Sequence, residues 1–280
     1  MTPILVINLA RRPDRLSAMQ RRLADEGLSL ERIDAIDARV ADPTQMAARF
    51  RRPGRFGPLS PAEQACALSH LRAYETLLAN PAAPRAVILE DDAVLTTGAG
   101  RVLSALDALP ASVALLKLER ERSSVMLGRP RLLENAPGYS IARLHSEHSC
   151  CTGYVISRRA AAALLALRLI PQLPVDFLLF HPLISPMFGR LRPHQLTPAI
   201  VEQPVMSDRD SDIEHTRTAL TAARTKPRGW AKIRREALRI AHQAGRLGAA
   251  CFDGAAWTEI TTAPPPSPAA LAVEPRALTR

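Results

Sequence analysis

The chain predicts an α/β fold on a mostly parallel mixed sheet, and three observations carry that reading. The apolar run Ile4-Leu9 is followed at once by a helix start at Pro13-Asp14, which makes a βα opening. A second run, Ala86-Val87-Ile88-Leu89, reads as a buried strand and ends in three consecutive acids, Glu90-Asp91-Asp92. A third, Thr152-Gly153-Tyr154-Val155-Ile156-Ser157, feeds the alanine-rich helical stretch Arg158 to Leu167. Strands alternating with helices argue for helices packed over a sheet.

The remaining elements follow in order. The first helix runs through Met19 and Leu23 and stops at Gly27, a residue suited to the left-handed turn that ends helices. Ile33-Ile36 predicts a short strand, and Arg49 to Pro61, with its prolines and glycines, predicts a loop. Ser60-Pro61-Ala62-Glu63 has the form of a capped start for a helix continuing past Cys66, Leu68, Leu71 and Leu78, with Ser69-His70 inside it. A helix is expected around Arg101-Leu109 and a buried strand over Val113-Leu118. Arg120 to Ser149 lacks periodicity and reads as an irregular excursion or short hairpin. Leu173-Phe180 places Asp176 alone among apolar residues, Leu196-Val201 predicts a last strand, and Gln203-Asp212 predicts a loop.

Composition narrows the class. The chain has 280 residues, 47% of them hydrophobic, which suffices for one large α/β domain. No run approaches the roughly 20 apolar residues that cross a bilayer, and the start is too short for a signal peptide. A cytoplasmic protein with four reduced cysteines is the expectation. The net charge is +10, but between Arg217 and Gly248 nine basic residues against Glu236 alone account for +8 of it. The domain itself is near neutral, and the basic segment lacks interleaved aromatics, so no nucleic acid is expected as a partner; a nucleic-acid-binding protein is the alternative.

From 229 to 250, Trp230, Ile233, Ala237, Ile240, Ala241, Ala244 and Leu247 recur at helical spacing opposite Lys232, Arg235, Arg239, His242 and Arg246. Such a helix suits the headgroup plane of an anionic membrane, or else docks on the domain with a solvated basic face. The expected organisation is therefore a main α/β domain over 1–216, a basic helical segment over 217–260 and a Pro/Ala-rich disordered tail over 261–280.

Three adjacent carboxylates at a strand end either form a solvated acidic turn or surround a cation. Glu90 and Asp92, first and third, point the same way in an extended chain. The run His145-Ser146-Glu147-His148-Ser149-Cys150-Cys151 lacks the paired spacing of structural zinc sites and reads as a strand-leading loop.

Taken together, Ile7-Asn8-Leu9-Ala10-Arg11-Arg12-Pro13-Asp14-Arg15, Cys66-Ala67-Leu68-Ser69-His70, Val87-Ile88-Leu89-Glu90-Asp91-Asp92, Thr152-Ser157, Pro174-Val175-Asp176 and Glu202-Gln203 resemble the motifs of glycosyltransferase family 25, the lipopolysaccharide-type β-galactosyltransferases. Ala65 stands where the family has glycine, and the Gly153 strand is one residue shorter. The resemblance spans Thr2 to about Ile213.

It implies a GT-A-like, Rossmann-like domain with a UDP-sugar donor, most readily UDP-galactose, and Mn²⁺ or Mg²⁺ on Asp92 with help from Glu90. It also implies donor contacts from Asn8, Leu9, Arg11, Arg15, Ser69, Asp91 and Gln203. The acceptor it implies is a saccharide of lipopolysaccharide or a related glycan, lipid-linked, on the inner face of the cytoplasmic membrane. Arg11 and Arg15 meet phosphate or uracil in this reading, or else decorate a solvated first turn. Asp176 is the candidate base of an inverting transfer, an alternative hydrogen-bonding group, or a cap. His70 faces the site as a second catalytic candidate, or is a satisfied core histidine. A family member without activity, serving as a binding protein, is a further alternative.

Overall fold

The computed structural model describes residues 2–53, 57–203 and 230–262. The predicted loop beyond Gln203, the boundary at 216/217 and most of the predicted tail lie outside them.

Strand β1 (Ile4–Asn8) leads into α1 (Pro13–Asp25), which opens with Pro13 in its first turn and ends before Gly27 at φ +71°. Strand β2 (Glu31–Asp34) pairs parallel with β1, slightly earlier than the Ile33-Ile36 reading. A short helix that the sequence reading missed, α2 (Pro43–Ala48), is capped by Asp42. Then comes α3 (Pro61–Ala79), whose capping box is complete. Ser60 Oγ accepts from the Glu63 backbone N–H at 3.2 Å, and the Ser60 N–H donates to Glu63 Oε2 at 2.9 Å.

Strand β3 (Arg85–Glu90) pairs parallel with β1 on the side opposite β2. Further along come β4 (Val94–Leu95), α4 (Ala99–Ala105) with a 3₁₀ turn after it, and β5 (Leu115–Lys117). The excursion after Arg120 contains β6 (Val125–Leu127), β7 (Arg131–Leu132) and β8 (Ser140–Arg143); β7 and β8 form a hairpin. Strand β9 (Gly153–Ser157), α5 (Arg158–Leu165), α6 (Val175–Phe180), α7 (Phe188–Leu191), β10 (His194–Thr197) and β11 (Val201–Glu202) follow. The last elements are α8 (Trp230–Asp253) and β12 (Ala256–Thr258).

The main sheet has the order β2-β1-β3-β9-β5-β10-β8-β7. Strands β9 and β8 run against their neighbours, so six of the eight strands share one direction. Alternation along each strand divides the core between the two faces. Leu5, Ile7, Ile88 and Ile156 join α3, α5 and α6 in one cluster, whereas Ile4, Val6, Val87, Leu89 and Val155 join α1 and α4 in the other. Each such side chain contributes roughly 1.5–3 kcal/mol by leaving water.

Two further features matter for the site. Chain order reverses at β1, which has β2 on one side and β3 on the other, so a crevice opens beyond the carboxyl ends of these strands. The chain after α8 also returns to the domain. Strand β12 pairs with β6, Ile260 is buried in the first core cluster, and Thr262 bridges Ala199. This strand lies inside the segment that the sequence reading treated as helical. Among the described residues no helix is long and apolar enough to cross a membrane.

Candidate active site

A cleft of ≈ 520 Å³ lies at this crevice. It draws Leu9, Arg11 and Arg15 from the end of β1 and the start of α1, Cys66, Ser69 and His70 from α3, and Glu90, Asp91 and Asp92 from the end of β3. Asp176 and Gln203 complete it. Of the eleven residues singled out in the sequence, ten line the cleft. Asn8 does not. Its buried side chain donates to Asp91 Oδ2 at 2.7 Å and to the Arg12 carbonyl at 2.9 Å, while its Oδ1 accepts from Arg32 Nε at 2.9 Å. These bonds brace the acidic turn.

The three acids have separate environments. Asp91 also accepts from Arg15 at 3.1 Å, so its charge is matched and the arginine is steered over the cleft. Glu90 Oε1 lies 3.1 Å from His70 Nε2 and 3.9 Å from Cys66 Sγ. Asp92 accepts from Gln203 Nε2 at 3.5 Å through Oδ2, whereas its Oδ1 is buried without a hydrogen-bond partner. Burial, reinforced by Glu90 and Asp91, pushes the Asp92 carboxyl up to about 7. A buried carboxylate oxygen left unpaired beside two further carboxylates is costly, and a bound cation is the ordinary relief. Asp92 with Glu90 therefore fits a divalent cation.

Arg11 is engaged by Asp37 at 2.8 Å, and both line the cleft. Ser69 Oγ donates to the Ala65 carbonyl at 2.7 Å and accepts the Ile36 N–H at 2.9 Å, tying α3 to the segment after β2. His70 is a satisfied, buried histidine that nonetheless borders the cleft. Its Nδ1 lies 2.7 Å from the Tyr154 hydroxyl, which lies 2.6 Å from that of Tyr74.

Asp176, buried near the start of α6, accepts the Cys150 N–H at 3.1 Å through Oδ2 and the Phe177 N–H at 2.9 Å through Oδ1. Cys150 has a left-handed backbone, φ +62°, and a buried ion pair secures it from below. Lys117 Nζ donates to Glu119 Oε2 at 2.9 Å and to the carbonyls of Ser149 and Cys150. Glu119 in turn accepts the Thr152 N–H at 3.0 Å.

Sequence reasoning missed this support, along with Asp37, Cys150 and Cys151 as cleft residues. The available signal was a lysine inside the apolar run Val113-Leu118, since a lysine in a buried strand needs a partner. His145 to Cys151 is indeed a loop leading to β9. Its His148 packs against Lys117's neighbours, with Nε2 3.2 Å from the Glu119 carbonyl.

The sequence profile of glycosyltransferase family 25 (LPS biosynthesis protein) matches residues 1–179, more than half of the chain. The chain belongs to glycosyltransferase family 25. This family 25 chain is 30% identical over 186 residues to procollagen galactosyltransferase 1 of Danio rerio, covering 62% of the chain but 30% of that relative. The match thus spans under a third of that relative's length. The chain is 28% identical over 209 residues to lacto-N-neotetraose biosynthesis glycosyltransferase LgtB of Neisseria gonorrhoeae, covering 71% of the chain and 73% of LgtB. A third relative, 31% identical over 190 residues and covering 62% of the chain and 30% of its own length, is the probable inactive glycosyltransferase 25 family member 3 of Bos taurus.

Proposed function

We propose that this chain is a metal-dependent inverting glycosyltransferase that moves a hexose, galactose from UDP-galactose, to a saccharide acceptor of lipopolysaccharide or a related surface glycan. The observation that carries the reading is the unpartnered buried oxygen of Asp92 at the floor of a nucleotide-sized cleft at the sheet's switch point. Asp92 and Glu90 would hold Mn²⁺ or Mg²⁺. When bound, the ion supplies positive charge where the departing diphosphate becomes more negative.

The chain's own groups do the rest. Arg15, steered by Asp91, and Arg11, set by Asp37, offer guanidinium donors to the phosphates or the uracil ring. Ser69 and Leu9 line the donor side, and Gln203 holds Asp92 in place. Asp176 takes the proton of the attacking acceptor hydroxyl, with the Cys150 N–H fixing one oxygen of its carboxylate. His70, locked between Tyr154 and Glu90, acts as a positioning residue for Glu90.

The acceptor is lipid-linked in this reading, and α8 attaches the enzyme to the anionic inner face of the cytoplasmic membrane. The helix supports this by exposing apolar side chains to solvent: Leu247 is 69% exposed and Phe252 90%.

The test is UDP release from UDP-galactose, UDP-glucose and UDP-N-acetylhexosamines with and without Mn²⁺, in the full chain and in Asp92→Asn. Mn²⁺-dependent release from UDP-galactose, falling by about 10²–10³ in the variant at unchanged melting temperature, is expected. Near-normal turnover in Asp92→Asn overturns the metal assignment. Silence on every donor despite nucleotide-sugar binding establishes an inactive member of the family instead.

A further inference from the structure

Beneath the acidic turn, α3 presents Cys66 and His70 one helical turn apart, on the face that meets the end of β3. Cys66 Sγ, a ring nitrogen of His70 and a carboxylate oxygen of Glu90 all lie within 4.8 Å of one another. We propose that Cys66, His70 and Glu90 form a binding site for a borderline-soft divalent cation of the zinc class, separate in chemistry from the hard-cation position at Asp92.

The donor set argues for this class. Thiolate, imidazole and carboxylate together suit zinc and its congeners, whereas manganese and magnesium favour all-oxygen sites. Geometry agrees. A tetrahedral ion bound at roughly 2.0–2.3 Å sets donor atoms roughly 3.3–3.8 Å apart. Here Glu90 Oε1 lies 3.1 Å from His70 Nε2 and 3.9 Å from Cys66 Sγ, and the Cys66–His70 pair lies within 4.8 Å, so the three donors close on an ion by side-chain adjustment.

The histidine is also oriented as a metal ligand is. Its Nδ1 meets the Tyr154 hydroxyl at 2.7 Å, and a hydroxyl can either donate or accept. Without metal, Nε2–H donates to Glu90 and Tyr154 donates to Nδ1. With metal, Nδ1–H donates to Tyr154 and frees the Nε2 lone pair. Binding releases the thiol proton, and all three residues line the cleft, which gives the ion a route in. Glu90 is shared with the Asp92 position, so zinc at Cys66 and His70 withdraws it; that consequence rests on the transferase reading, whereas the binding itself does not.

The experiment titrates the full chain, stripped of metal and free of nucleotide sugar, with Co²⁺ and then Zn²⁺. A thiolate-to-cobalt charge-transfer band that appears with one equivalent of Co²⁺, is bleached by Zn²⁺ and is lost in Cys66→Ala is expected. Absence of the band in the parent chain, or its survival in Cys66→Ala, overturns the proposal. A second readout needs no variant. Zn²⁺ should slow alkylation of Cys66 by iodoacetamide at least tenfold, read by peptide mass spectrometry, and an unchanged rate overturns the assignment. Because no sugar nucleotide is present, failure here leaves the transferase reading intact.

Discussion

Replacing Lys117 with methionine tests whether the buried Lys117–Glu119 pair supports the floor of the cleft. The side chains are 0% and 2% exposed, and Lys117 also lies 4.6 Å from the centre of the Phe180 ring. Burial alone would lower the lysine's pKa, but Glu119 outweighs it and keeps Lys117 charged. Methionine fills nearly the same volume but leaves Glu119 buried without its counter-charge, a loss of about 3–5 kcal/mol. Lys117→Met/Glu119→Met removes both charges and leaves the Thr152 N–H and the Cys150 carbonyl without these partners, so the double variant should lose less than Lys117→Met alone, about 1–3 kcal/mol.

Urea unfolding of the parent, both single variants and the double variant closes the cycle. The pH dependence has a definite sign. In Lys117→Met the buried Glu119 has a folded pKa above its unfolded value of about 4.3, so that carboxyl favours folding below pH 4.3 and its contribution is lost as pH rises. The deficit of the single variant should therefore shrink on moving from pH 7 to pH 5. A loss below about 1 kcal/mol at pH 7, or a double variant as unstable as the sum of the singles, refutes the reasoning. The carbonyls of Ser149 and Cys150 also lose their tether to Lys117, and turnover should fall along with stability because the Cys150 N–H fixes Asp176.

Gly153→Ala would put a Cβ 2.8 Å from Val201 Cγ2 in a buried strand, so it should cost about 1–3 kcal/mol in chemical unfolding, with partial recovery in Gly153→Ala/Val201→Ala. His194, across the ladder from Arg143, is lowered to about 4 by burial first and then by that arginine. Its contribution to stability is full above the unfolded value near 6.5 and is lost as pH falls toward 4, by at most about 1.4 kcal/mol per pH unit. His194→Gln should flatten that part of the stability curve relative to the parent, and an unchanged slope counts against it. Leu247→Glu/Phe252→Glu removes the most exposed apolar groups among the described side chains of α8, and co-sedimentation with vesicles containing phosphatidylglycerol should fall at least tenfold. Equal binding by the variant would remove α8 from the membrane contact.

Much of this molecule was legible in the chain because the relevant signals are local. The Ser60–Glu63 box depends on residues three apart, and the Gly27 stop on a single backbone conformation. The strand ending in Glu90-Asp91-Asp92 reads from its own apolar run, and ten of the eleven candidate residues share one cleft because they belong to motifs at the ends of neighbouring elements. Tertiary structure alone decided which groups meet across long stretches of sequence. Strand β9 enters antiparallel between β3 and β5, which brings the Cys150 loop over Asp176 and the Tyr154 hydroxyl to His70. Glu90 is drawn to Cys66 and His70, Asn8 is bonded to Asp91, and β12 closes on β6. Those pairings depend on how two buried faces of a sheet fill against their helices, a packing problem that no local window of sequence contains.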